Sequence, residues 1–350
     1  MEKILTIGIP TYNRSLILNK MLNILVEDLK DIANHVEIII SDNCSTDDTE
    51  KVIKDWFNLN SSRLEIKKIR NKTNIGVSRN IVSLLYEAKG KYFMFLGDDD
   101  RLNRDRIKEI ISILSTNNPA SIIQTCWPYR KEKKHGVLSF AEATDYFYEF
   151  GNAWAGILRT KDAINSLETR KLRENIEKIV WPQTVAGFLS IYDSQDLAYG
   201  VNFEIGFPLE PSLNITNKSY WTRSLHDLLK ALQLVEYYSE SNLSKSFLSV
   251  SSPGFISHLR AIFLNSMNRE DNMSTYNLRA FMCKHWPQRG RIWSIPLLAS
   301  DNSKIVFGLI APFFLLKGQW LGTVLKQERL RRMGEISNKE KSSKRFGDWF

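Results

Sequence analysis

Three consecutive carboxylates, Asp98-Asp99-Asp100, follow the apolar run Tyr92–Leu96 and Gly97. Side by side they repel one another, and a cation is the simplest way to keep them ionised together. Mg²⁺ and Mn²⁺ prefer oxygen ligands, take one or two protein carboxylates and complete their shells with water and phosphate oxygens. A carboxylate cluster at the end of a buried strand therefore points to a metal-held diphosphate. The alternative for the same residues is an acidic turn in which an Asp caps a helix over 103–115.

Three other polar clusters carry similar potential. Pro10-Thr11-Tyr12-Asn13-Arg14 closes the first apolar run. Ser41–Thr49 (SDNCSTDDT) closes the second, and its Asp42 and Asn43 have the groups to hydrogen-bond a base and a ribose. Its alternative is a helix cap at Ser45 or Thr46. Asn74–Asn80 (NIGVSRN) offers Arg79, a flexible Gly76 and a helix N-terminus suited to an anion; the alternative is an arginine on a wet helix face.

The elements that must hold these clusters alternate in type. Ile4–Ile9, Val36–Ile40 and Tyr92–Leu96 are short buried-strand runs, and Leu64–Ile69 alternates like a strand with one wet face. Leu16, Met21, Leu22 and Leu25 have helical spacing, a helix starts near Asp47, and Ser78–Leu85 resumes the helical period with Gly90 placed to stop it. This order predicts an α/β fold, a mainly parallel sheet flanked by helices. Ligands of such sheets bind beyond the carboxyl ends of the strands, where all four clusters fall. Further on, Asn152–Leu158 reads as a strand, Asn175–Tyr192 as a helix crossed by Pro182, and Ser224–Tyr238 as an amphipathic helix.

Composition narrows the class. The 350 residues are 43% hydrophobic and 25% charged, as in globular proteins, with too few Gly and Pro for a collagen-like chain. Cys44, Cys126 and Cys283 are dispersed and odd in number, which argues for a reducing compartment and against a cysteine zinc site. No GxGxxG follows the first strand, which disfavours a dinucleotide dehydrogenase. MEKILTIGIPTYNR does not read as a signal peptide, and no apolar stretch is long enough to span a membrane. Of the net charge of +9, six units lie between Lys317 and Arg345. That basic run follows the apolar segment Ile305–Leu316, a composition suited to an interfacial anchor on anionic lipid. Aromatic residues do not interleave with it, so no nucleic-acid partner is expected.

IPTYNR at 9–14, IIISDNCSTDDT at 38–49, NIGVSRN at 74–80 and YFMFLGDDD at 92–100 together resemble the nucleotide-sugar-binding half of a family 2 glycosyltransferase of GT-A fold. Within that family the SDN-x-STD cluster and Trp181-Pro182-Gln183 are most similar to abequosyltransferase-type enzymes of bacterial surface polysaccharide synthesis. The resemblance implies a GT-A domain over 1–238, with nucleotide-sugar binding in 1–125 and the acceptor side in 126–238. A helical, membrane-associated region over 239–335 and a basic tail over 336–350 would follow. It implies an inverting enzyme that uses Mn²⁺ or Mg²⁺ to transfer a sugar from a nucleoside diphosphate sugar to a glycan or polyprenyl-linked acceptor. Its place would be the cytoplasmic, inner face of the plasma membrane. The alternative is a nucleotide-binding scaffold of the same fold that has lost its chemistry.

Carried over residue by residue, the resemblance puts Pro10, Thr11 and Tyr12 in the nucleotide pocket with Arg14 nearby, Asp42 with Asn43 on the base side, and Arg79 near the base or diphosphate. Asp98 would meet ribose or metal, Asp99 would be the main metal ligand and Asp100 an auxiliary carboxylate. Many members read Asp-x-Asp-Asp where this chain begins with Gly97. Family members also place a Glu-Asp pair where this chain has Trp181-Pro182-Gln183, and glutamine is no base. Asp193 is the candidate base, ahead of Asp196, Glu177 and Glu174. Trp154, Gly156, Trp181 and Gln183 would line the acceptor side, and His226 would reach the diphosphate or metal.

Overall fold

The computed structural model describes residues 3–124, 134–144, 146, 156–173, 182–194, 197–209, 231, 234–235 and 237–239. The chain divides into two compact units, and every described residue lies in the first, Met1–Glu210 with Asp227–Leu248.

The first half alternates as expected: β1 (Leu5–Thr11), α1 (Ser15–Leu29), β2 (Val36–Asp42), α2 (Thr49–Asn60), β3 (Glu65–Arg70), α3 (Val77–Glu87) and β4 (Tyr92–Phe95). Then come β5 (Asp100–Leu102), α4 (Arg104–Asn117), β6 (Ser121–Gln124), β7 (Gly136–Leu138) and α5 (Phe140–Thr144). The described residues close with β8 (Gly156–Arg159), α6 (Thr160–Thr169), α7 (Pro182–Ser194), β9 (Ala198–Val201) and β10 (Gly206–Pro208).

Among these, eight strands form one sheet in the order β3-β2-β1-β4-β8-β6-β9-β7. β3, β2, β1 and β4 are mutually parallel. β8 enters antiparallel between β4 and β6, and β7 is antiparallel at the edge. The chain runs outward from β1 to β3 and then crosses back to place β4 on the other side of β1. That reversal makes the carboxyl ends of β1 and β4 the switch point where such sheets bind ligands.

β1 is buried along its whole length. Leu5, Ile7 and Ile9 join Leu18, Met21, Leu22 and Leu25 of α1 in the main core, while the alternate position Gly8 lies against Phe93 and Leu84. A side chain at residue 8 would meet the Phe93 ring at 2.6 Å, so only glycine lets β4 and α3 close on the strand.

Two boundaries differ from the sequence expectations. Pro10 does not end β1, which runs on to Thr11 opposite Asp42. Gly8 and Thr11 accept from Leu96 and Asn43 on opposite sides, so the missing N–H of Pro10 falls on the β4 side, beyond the last β1–β4 pair at Gly8 and Phe95. Gly90 does not stop α3; it lies three residues past its end, where an added Cβ would stand 2.6 Å from the Thr6 backbone nitrogen. α7 is described from Pro182 onward, and residues 175–181 of the helix expected there lie outside the described residues. The expected amphipathic helix leaves its mark in Ala231, Val235 and Ser239, all helical and buried at a spacing of four, with Tyr237 exposed.

Candidate active site

The acidic turn after β4 is clamped from below. β5 pairs antiparallel with β10, joining Asp100 to Pro208 and Arg101 to Phe207, and the Leu209 amide donates to the Asp99 carbonyl at 2.7 Å. Arg101 stacks on Phe207 and pairs at 3.3 Å with the buried Asp28 of α1. Asn103, not an Asp, caps α4 by accepting from the Arg106 amide.

Thus fixed, the three aspartates differ. Asp98 is buried, and one oxygen accepts from Thr11 Oγ1 at 2.7 Å while the other pairs with Arg14 Nε at 3.2 Å. Burial pushes its carboxyl up to about 6, against the pull of Arg14 and Thr11. Asp99 has a side chain 48% exposed and pairs with the other end of the Arg14 guanidinium. Asp100 is buried and folds back over Gly97, where a Cβ would stand 2.3 Å from its Oδ2. Burial and the neighbouring Asp99 charge push its carboxyl up to about 8. The glycine at 97 is therefore what leaves room for the third carboxylate.

The other strand-end loops are zipped to one another by polar side chains, among which the sequence points to a ligand role for Asn43. Asn13 takes a left-handed φ of 52°. Its amide donates to Ser45 Oγ at 2.8 Å, and its side-chain oxygen accepts from the Thr46 amide at 2.7 Å. α2 begins two residues after Asp47, with Glu50 in its first turn, and Asp47 accepts from the Ser15 amide at the start of α1 and from the Thr49 amide. Asn43 takes a structural part: its side chain donates to Asn74 at 2.9 Å and accepts from the Ile75 amide and from Asn71, each at 3.0 Å. Asn80 is shared by Ser41 and Asn71, which pins the start of α3 to the end of β2. The legible signal for this network is the density of asparagines beside strand ends.

Asp42 is buried at the end of β2, opposite Arg70 in register. Oδ1 accepts from the Ser45 amide at 2.9 Å. Oδ2 faces Arg70 Nη1 at 3.3 Å without a hydrogen bond among the described residues. Arg70 is itself held by Glu50 and by the Ser45 carbonyl. Pro10 is buried, Tyr12 is 42% exposed, and Arg79 is exposed on the first turn of α3.

The acceptor-side expectations are only partly visible. Gly156 is buried at the start of β8 and Gln183 is buried in the first turn of α7. Trp154, Trp181, His226, Asp196, Glu177 and Glu174 lie outside the described residues, as do the Ile305–Leu316 segment and the basic tail. Asp193 sits near the end of α7 with Arg170 bidentate at 2.7 and 2.6 Å and Ser166 Oγ donating at 2.7 Å. Burial raises its pKa, but Arg170 and Ser166 outweigh that and hold it below the ordinary carboxylate value. This carboxylate ties α6 to α7.

Among the described residues no three His, Cys, Asp or Glu side chains converge as a ready cage for a metal. The acidic turn nevertheless fits a divalent cation of the kind that completes its shell with water and phosphate. It offers hard oxygen donors, one of them well exposed, and a single guanidinium faces three carboxylates.

A family model, glycosyl transferase family 2, matches residues 6–176. Over 99 residues the chain is 38% identical to the abequosyltransferase RfbV of Salmonella typhimurium, covering 28% of this chain and 29% of that protein. Over 100 residues it is 37% identical to a GalNAc(5)-diNAcBac-PP-undecaprenol beta-1,3-glucosyltransferase of Campylobacter jejuni, covering 28% of this chain and 30% of that protein. The matches thus span less than a third of the length of these curated relatives. Among solved structures, the mannosyltransferase PcManGT from Pyrobaculum calidifontis, in complex with GDP-Man and Mn²⁺, superposes with a TM-score of 0.52 at 12% identity, covering 87% of this chain and 88% of that one. That likeness is one of fold, and the fold is GT-A. The domain spanning residues 6–176 belongs to glycosyl transferase family 2.

Proposed function

We propose that this protein is a glycosyltransferase of bacterial surface polysaccharide assembly. It moves a sugar, with inversion, from a nucleoside diphosphate sugar to a hydroxyl of a glycan or polyprenyl-linked acceptor, using Mn²⁺ or Mg²⁺. The observation that carries the reading is the junction of Thr11, Arg14, Asp98 and Asp99 at the switch point between β1 and β4. Asp42 supports it one strand away: a buried carboxylate oxygen without a hydrogen bond is an acceptor for a base N–H.

In this reading Pro10, Thr11 and Tyr12 wall the nucleotide, Asp42 orients the base, and Asn43 holds the 71–76 loop against it. Asp98 meets a ribose hydroxyl or the metal, Asp99 is the main metal ligand, Asp100 backs it, and Arg79 lies toward the base or diphosphate. A bound divalent metal supplies charge stabilisation to the departing diphosphate. Trp154, Gly156, Trp181 and Gln183 line the acceptor side. The 239–335 region and the basic tail bring the enzyme to the inner membrane face. Among the described residues no helix is long and apolar enough to cross a membrane.

A second reading, a nucleotide-binding scaffold without turnover, is favoured by one observation: the candidate base Asp193 is committed to Arg170 and Ser166. Thermal shift with UDP, CDP, GDP and dTDP, each with Mn²⁺, Mg²⁺ or chelator, tests the shared site, because a ligand of the native state raises its apparent stability. Stabilisation by one nucleotide, lost with chelator, is expected; no response to any of them would sink both readings. Transfer or slow donor hydrolysis that disappears in Asp99→Ala, with the fold retained, separates the enzyme from the scaffold.

A further inference from the structure

We infer that Arg14 is an internal counter-cation that holds the metal-binding carboxylates closed until a divalent cation displaces it. This rests on the proposed function and concerns how its metal site is regulated.

Among the described residues Arg14 is the one cation whose contacts bridge two aspartates of the triplet, with Nε on Asp98 and Nη2 on Asp99. Asp99 is the exposed carboxylate of the three, and its Oδ2 is the oxygen that the guanidinium holds. A guanidinium and a divalent cation both need those oxygens, and two positive charges within a few ångströms repel. Occupancy by one therefore opposes occupancy by the other.

The backbone is arranged for the side chain alone to move. The Arg14 amide donates to Thr49 Oγ1 at 3.1 Å, the preceding Asn13 is stapled to Ser45 and Thr46, and the following Ser15 amide is held by Asp47. Beyond this fixed backbone the side chain is 44% exposed, with open solvent to swing into. Released, a guanidinium at the mouth of the site is placed to meet a diphosphate oxygen, for which its planar fork is suited. The arrangement makes empty-state metal affinity low and couples metal entry to arrival of the anion that takes Arg14 away.

The test is Mn²⁺ alone, titrated into the full chain and read as loss of the free-ion electron paramagnetic resonance signal. Arg14→Gln is expected to bind Mn²⁺ about tenfold more tightly than the unsubstituted protein, because a neighbouring positive charge is gone. A merely structural arginine would give the opposite, since losing it would loosen the site. Arg14→Lys keeps the charge but cannot bridge both carboxylates, and about a threefold gain is expected; it carries the test if the glutamine variant does not fold. A wild-type Mn²⁺ site with no gain in either folded variant overturns the inference and leaves the proposed function standing. No Mn²⁺ site in any of the three proteins overturns the inference, and the nucleotide panel with Mn²⁺ and with chelator then decides separately whether the proposed function falls.

Discussion

Thr11 and Asp98, separated by 87 positions in sequence, share a 2.7 Å hydrogen bond that joins the end of β1 to the acidic turn after β4. The hydroxyl gives a buried carboxylate one of its few donors and helps it stay charged. Thr11→Val keeps the β-branched shape and removes the donor. Asp98 should then titrate higher than its present value of about 6. Nucleotide affinity at neutral pH should fall by about tenfold, the worth of one buried charge-assisted hydrogen bond. Calorimetric titration of nucleotide from pH 5.5 to 8.5 checks it, and unchanged affinity throughout would remove Asp98 from the site.

Asp100 sets a pH dependence of stability with a definite sign. Its folded carboxyl sits near 8, above its ordinary value near 4, so between those limits the folded state binds more protons than the unfolded. The stability this contributes is fully present below the unfolded value and is lost as pH rises through about 8. In chelator, the melting temperature should decline across that window. Asp100→Asn should flatten the decline and melt about 3 °C higher at pH 8.5, roughly 1 kcal/mol for a domain of this size. Melting curves in steps of half a pH unit read it directly. A wild-type melting temperature that rises from pH 5 to 8 would contradict the burial of a charged Asp100.

Asp193→Asn separates a clamp from a base. Losing the bidentate pair with Arg170 should cost about 1 kcal/mol, since the pair is partly exposed. The melting temperature should therefore drop by a few degrees, while transfer by the folded protein at a permissive temperature stays within about twofold. Loss of transfer by orders of magnitude, with the fold intact, would restore Asp193 as the catalytic base.

Asn43→Ala should release the 71–76 loop. The substitution deletes the acceptor of the Ile75 amide and the Asn71 side chain and the donor to Asn74. Amide exchange at Ile75 should accelerate at least tenfold, as expected for a loop losing its buried anchor. Amides of β1 should be unaffected. Exchange rates at Ile75 equal to wild type would show that the loop is held by something other than Asn43.

By itself the sequence determined the strand–helix alternation, the parallel β1–β4 block and the four polar clusters at strand ends, because two-residue and 3.6-residue periodicities and turn residues are local signals. It also marked the aspartate triplet, since adjacent carboxylates are conspicuous in any order of folding. Only the tertiary structure decided which of the three is exposed, and it did so through contacts from far away: Thr11 from β1, Arg14 from the turn before α1, and Pro208 from β10. It inserted β8 antiparallel between β4 and β6, which no local pattern specifies. It turned Gly90 from a helix stop into a point of close packing on Thr6, and gave Asp193 two partners on α6 and just beyond it. Charge, burial and partner are properties of a place in space, and residues 87 apart in the chain meet there only once the sheet has formed.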